Sequence, residues 1–261
     1  MRRISLFAIL LTVTAVPRLS FAQPAVNSEI APTGKLRVAA NSQTPALLTR
    51  TADGKIVGGA AVEVGKFIAE KLGVSFEVVA YTDSGAHTQS FGKGEWDISF
   101  GPRVPAAADK ADYILDVVLS DYLFAAAPGR DFASAAEVDR PGVKIGVATN
   151  SSSDRFLSRT LKSAELVRLL GVGGIEALRS GKADVWAASA SNVQQVANSL
   201  PGAKIVPGAF TSDRYLVALP KGKSSAAQSK LAEIVKEAKK TGVVRKAIEQ
   251  LGVKGVRAAP D

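Results

Sequence analysis

"VKIGVATNSSSDRFLSRTLKSAELVRL", residues 143–169, holds one full turn of the pattern that organises the chain. An apolar, β-branched run (143–148) reads as a strand, "SSSDRFLSRTLK" as a helix and "AELVRL" as a second strand. A strand, a helix and a strand in succession imply a parallel pair joined by a crossover. The pattern continues downstream through a short helix "GGIEALRSGK", a strand "ADVWAA", a helix "SNVQQVANSL" and the closing run "AKIVPG".

Upstream the same alternation appears independently. "KLRVAA" (35–40) is a strand followed by a polar loop. Ala61, Val64, Phe67, Ile68 and Leu72 then recur at helical spacing and stop at Gly73. "VSFEVVAY" (74–81) is a strand, "DSGAHTQSFGKG" a short helix capped by Asp83 or Ser84, and "WDISF" a third strand. Between the two series lies a long extended interval with two strand-like pieces and a Pro/Gly/Asp linker, and a second crossing falls near 208–216. The chain finishes with a helix carrying Leu231, Ile234, Val235 and Ala238 on one face, and a last helix around 243–251. Two α/β lobes joined by two strands are expected, with a cleft at the C-terminal strand ends where such sheets bind ligands.

The chain has 261 residues, 46% hydrophobic and 22% charged, which suits a globular protein with a core large enough to be stable without staples. Arg2-Arg3, the apolar run Ile4 to Val16, and small residues at Ser20 and Ala22 predict a secretory signal peptide over 1–22, cut after Ala22. No later run is long enough to span a bilayer. There is no cysteine, which excludes disulfides, a thiol nucleophile, a cysteine metal site and a lipid-modified cysteine. An exported protein without staples or anchor is expected in a bacterial periplasm. Loss of Arg2, Arg3 and Arg18 with the signal removes three from the formal charge of +9 and leaves +6. The remaining Lys and Arg are scattered without aromatic interleaving, so nucleic acid is not expected as a partner.

"GKLRVAA", "AVEVGKFIAEKLGVSFEVV", "FGKGEWDISF", "ADYILDVVLSDYLF", "RPGVKIGVATNSSSDRFL", "ALRSGKADVWAA" and "YLVALPKG" stand in the order seen in one family. Over nearly all of residues 34–252 the chain resembles periplasmic solute-binding proteins of the polar amino-acid (family 3) type. The resemblance implies the type II periplasmic-binding-protein fold, each lobe a mostly parallel sheet flanked by helices and joined by two crossover strands. It assigns 23–34 to an N-terminal linker, 35–123 and 212–261 to lobe 1 and 124–211 to lobe 2. It further implies a monomeric receptor that closes on a small solute, needs no cofactor, and hands the solute to the membrane subunits of an ABC importer. In the family an arginine before the "DY" strand grips the ligand carboxylate and an aspartate after the "KAD" strand pairs with the ammonium. Those positions fall here on Ala107 and Ser189.

Candidate ligand-binding residues are those at the strand rims. Asn41 and Gln43 leave the first strand, Phe100, Gly101 and Arg103 lie at the end of the third, and Asn150, Ser151, Ser152 and Ser153 precede a helix whose free N–H groups favour an anion. Ser189 completes the set. Arg103 is either a carboxylate clamp taking over from Ala107 or a solvated loop arginine, and both readings stand. A buried ammonium without an acidic partner is costly, so a free α-amino acid does not suit these residues. The single histidine, His87, is expected at the surface, and Tyr122 and Trp186 as hinge and core aromatics. The rival class is a periplasmic enzyme of the same fold acting on a small carboxylate, dehydratase-like. It needs a tuned cleft acid or base, and Glu63, Asp83 and Glu95 form no convincing pair. No metal-ligand spacing is present.

Overall fold

The computed structural model describes residues 22–170 and 173–260, so all but the last residue of the expected signal peptide lies outside the described residues. The segment expected as a linker is instead a helix, α1 (Ala22–Ile30), whose Val26 and Ile30 join the first core. An apolar pair one turn apart is enough to dock a short helix.

The first series then builds β1 (Lys35–Asn41), a small hairpin of β2 (Thr49–Arg50) and β3 (Ile56–Gly58), α2 (Ala60–Leu72), β4 (Ser75–Tyr81), α3 (Ser84–Gln89) and β5 (Ile98–Pro102). β1 runs parallel to both β4 and β5. A partly buried ion pair locks that register: the Arg37 guanidinium on β1 holds Asp97, just ahead of β5, at 2.8 Å, and its backbone N–H donates to the same carboxylate. The extended interval is one continuous strand, β6 (Ala111–Ala126), where two pieces were expected. Its burial alternates from Val118 to Phe124, and it is paired by β11 from Ala111 to Tyr122 and by β9 from Tyr122 to Ala126, which overrides the polar breaks at Asp116 and Ser120-Asp121.

The second series comprises β7 (Lys144–Ala148), α4 (Ser152–Thr160), β8 (Glu165–Leu169), α5 (Gly174–Arg179), β9 (Val185–Ser189), α6 (Ala190–Ser199) and β10 (Lys204–Ile205). The chain returns along β11 (Thr211–Pro220) and ends with α7 (Ser225–Lys240), α8 (Val243–Glu249) and β12 (Val256–Ala258).

The strand order is β4-β1-β5-β11-β6-β9-β7-β8, with β10 and β12 also on β6. The parallel strands lie at the two ends, and β6 with β11 forms an antiparallel seam in the middle. β6 feeds different cores along its length. Val117 and Val118 pack with Leu36, Ile68 and Leu231, whereas Phe124 and Ala126 pack with Ile145, Val147 and Leu157. Separate cores on one strand are what two lobes sharing a crossing require.

Candidate ligand-binding cleft

The C-terminal ends of β1, β5, β7 and β9 converge with the starts of α3, α4 and α6 around a cleft of about 710 Å³, counting its open mouth. Nine of the ten rim residues named from sequence lie on its wall. Asn41 ends β1, donates from Nδ2 to Ser84 Oγ at 3.0 Å, and accepts the Gln43 N–H at 2.9 Å, which aims the Gln43 loop along the wall. Phe100 and Gly101 floor the cleft from β5, and Ser189 closes β9.

Arg103 is elsewhere. It is exposed, and its guanidinium lies 4.5 Å from the centre of the Tyr113 ring. β5 continues through Pro102, and the alternation of an extended chain turns Phe100, Pro102 and Val104 to the cleft and Arg103 away from it. Of the two readings of Arg103, this placement supports the solvated loop arginine, held in a cation–π contact off the cleft wall. Ala107 is also remote, buried in one cluster with Phe91 and Trp96.

The cation on the wall is Arg155, which sequence reasoning missed. Ser151 caps α4 by accepting the Asp154 N–H at 3.1 Å, and Asp154 accepts the Asn150 N–H at 2.9 Å, a reciprocal cap. Asn150 reaches this geometry at φ 62, a left-handed conformation that asparagine tolerates better than most residues. Arg155 sits on the second turn, and side chains on a helix lean toward its N-terminus. Its guanidinium accordingly folds back, donating to the Asn150 carbonyl at 2.7 Å and to Ser152 Oγ at 2.9 Å. An arginine four residues after a helix cap was the available signal. Ser153 Oγ, on the same wall, is buried and has no hydrogen-bond partner.

Behind this helix start, the Tyr122 and Tyr215 hydroxyls are 3.2 Å apart on the two crossing strands. Burial raises both pKa values, so both stay protonated. Tyr122 and Trp186, expected as hinge and core aromatics, both also reach the cleft wall. His87 is not at the surface: it is 5% exposed and on the cleft wall. Its Nε2 is 2.8 Å from Ser99 Oγ, its ring stacks on Tyr81, and burial lowers its pKa to about 4, so it is neutral at pH 7. The α3 sequence looks polar, but its histidine face is pressed onto Tyr81 and Phe91, which a six-residue pattern does not reveal.

The carboxylates weighed for catalysis are engaged elsewhere. Glu63 pairs with Lys66, Asp83 caps α3, and Glu95 accepts from the Tyr81 hydroxyl. Among the described residues no group of three or more His, Asp or Glu could hold a metal ion, and no helix is long and apolar enough to cross a membrane. The walls also touch each other across the cleft. Asn192 on α6 donates from Nδ2 to the Gln43 carbonyl at 3.2 Å, and the Ala46 N–H donates to Ser191 Oγ at 3.4 Å.

Neither protein-family models nor curated proteins match this sequence. Solved structures do match. A mutant of ArgBP from T. maritima superposes with a TM-score of 0.71 at 20% identity, covering 87% of this chain and 99% of that one. AbpA, an amino acid ABC transporter substrate-binding protein from Streptococcus pneumoniae bound to L-arginine, gives 0.72 at 22% identity, with 85% and 96% covered. An ancestral amino-acid-binding protein, a precursor of cyclohexadienyl dehydratase, gives 0.72 at 21% identity, with 86% and 98% covered. Architecture is what these alignments share, and the chain has the two-lobed fold of the amino-acid ABC-transporter substrate-binding proteins.

Proposed function

We propose that this protein is a periplasmic receptor that captures a small polar or anionic solute between its lobes and delivers it to the membrane subunits of an ABC importer. In this reading residues 35–123 and 212–261 form one lobe, 124–211 the other, and the protein acts as a monomer with no chemistry of its own. One observation carries it: the cleft is walled by both lobes, with Asn41 and Gln43 from one and Asn150 to Ser153 and Ser189 from the other. A solute that touches both walls makes its full set of contacts only when the lobes are together, which is how binding shifts a hinge population. The names of the structural neighbours, most of them binding proteins, support the same reading.

The dehydratase-like reading draws on one neighbour, the precursor of cyclohexadienyl dehydratase. It needs a cleft group able to exchange a proton near neutrality. Among the described residues the wall offers no carboxylate, and burial holds the His87 pKa at about 4. A thermal-shift screen of amino acids, hydroxy acids, dicarboxylates and sugars decides between the two readings. A bound solute at a hundred times its Kd adds about 2.7 kcal/mol, which raises Tm by roughly 5–10 °C. Turnover of a cyclic or hydroxy acid, with no solute raising Tm, would establish the enzyme instead.

A further inference from the structure

The start of α4 carries an electrostatic anomaly. Arg155 folds its positive charge back over the helix N-terminus, where the unpaired N–H groups already concentrate positive potential. Such an arrangement is unfavourable unless an anion shares the space. Asp154 offsets part of it, but that carboxylate is directed to the cap and to Arg168 at 2.8 Å, and it is not on the cleft wall. Beside this charge the Ser153 hydroxyl is 1% exposed and unpartnered. A buried hydroxyl without a partner is a donor waiting for an acceptor.

The rest of the wall lacks the opposite charge. Arg155 is its single charged side chain among the described residues. Asp213 lies behind Ser152, with Oδ2 accepting that serine's hydroxyl at 2.6 Å and Oδ1 accepting the Arg214 N–H at 2.8 Å, and it does not reach the wall. The other polar groups are neutral: the Gln43 amide, Ser84 and Thr88 opposite α4, and the Ser189 hydroxyl beside it. Neutral amides and hydroxyls can hydrogen-bond a hydroxyl or a carbonyl, but none compensates the desolvation of an ammonium.

We propose that the solute is a small carboxylate whose neighbouring carbon bears a hydroxyl or carbonyl in place of an ammonium. Its carboxylate is held from one lobe alone, by Ser153 Oγ, the first N–H groups of α4 and the Arg155 guanidinium. The inference rests on the receptor reading and adds to it the chemical class of the ligand and the residues that select it. The selection is by exclusion as much as by attraction, because an α-amino acid would bury its ammonium without a counter-charge.

The test pairs acids of identical carbon skeleton: L-lactate with L-alanine, L-glycerate with L-serine, and L-phenyllactate with L-phenylalanine, with pyruvate as the carbonyl probe. Calorimetric titration of the mature chain is expected to favour the hydroxy or keto acid at least about tenfold in each pair that binds. Arg155→Gln is expected to weaken that binding about ten- to a hundredfold, and Ser153→Ala about three- to tenfold. Arg155→Lys keeps the charge but loses the fork, and falls between; it serves if Arg155→Gln folds poorly. Arg103→Ala, outside the cleft, is the control and leaves affinity unchanged. Tighter binding of the amino acid in any pair, or an Arg155→Gln affinity equal to wild type, overturns the proposal. So does binding of some other solute when none of these acids binds, a result that leaves the receptor reading standing. No binding by any solute, with or without turnover, removes both.

Discussion

His87 shows how a single buried group couples the cleft to pH. Its ring has left water for a niche between Tyr81, Phe91 and Ser99, so the neutral form is favoured and the pKa falls from 6.5 to about 4. Above pH 6.5 the ring is neutral in folded and unfolded chains alike and adds no pH dependence. As pH falls from 6.5 toward 4 the unfolded chain takes up a proton that the folded chain refuses, and stability declines. The loss is roughly 3 kcal/mol once pH reaches 4, from 1.36 kcal/mol per pH unit. Urea unfolding at pH 7 and pH 4.5 is therefore expected to show wild type losing stability more steeply than His87→Asn. Parallel losses would remove the histidine from the account. Residue-scale chemistry of this kind was only half legible. The serines before α4 announced a helix cap on the cleft wall by type and position, since a cap must stand where the strand ends and the helix starts. His87 and Arg155 did not, because one is defined by what packs on it and the other by the direction a side chain leans.

At the scale of the element, the start of α2 decides the shape of the opposite wall. Its first N–H groups are satisfied by the loop that lines the cleft: Ala60 N–H donates to the Ala46 carbonyl at 2.8 Å and Ala61 N–H to the Leu47 carbonyl at 3.1 Å. This approach is possible because Gly59 precedes the helix at φ 108, where a Cβ would stand 2.3 Å from the Leu47 carbonyl oxygen. Gly59→Ala combines a strained backbone with a backbone clash, and is expected to lower stability by about 2–4 kcal/mol. Gly54→Ala, at φ 85 in the β2–β3 turn with open space around it, is expected to lower it by only about 1 kcal/mol. Equal urea midpoints for the two variants would refute the clash. The elements themselves were mostly readable. Strands and helices of the two series fall where apolar runs and helical spacing put them, because each buries one face against its own lobe. α1 and the continuity of β6 were not, since both depend on partners distant in sequence.

For the whole molecule, the question is what holds the lobes together besides the crossing strands. Asn192 sits at that junction: its Oδ1 accepts the Trp186 indole N–H at 2.9 Å within its own lobe, and its Nδ2 reaches the Gln43 carbonyl in the other. A contact made only when the lobes meet biases the hinge toward the joined state. Asn192→Ala is expected to weaken solute binding about three- to tenfold and to enlarge the free protein's radius of gyration in small-angle scattering. An unchanged affinity and radius would show that the latch contributes nothing.

The two-lobed α/β architecture was determined by the sequence, because alternating strand and helix patterns are local and each repeats often enough to be unmistakable. So was the placement of the rim loops at Asn41, Phe100, Asn150 and Ser189, since in parallel sheets the C-terminal strand ends share one edge. Which side chains face the cleft was decided only by the tertiary structure. Where β5 ends turns Arg103 outward, the lean of α4 brings Arg155 inward, and the packing of α3 takes His87 out of water. The charge in the cleft thus depends on the direction a few side chains take, and that direction is set by neighbours that only folding brings together.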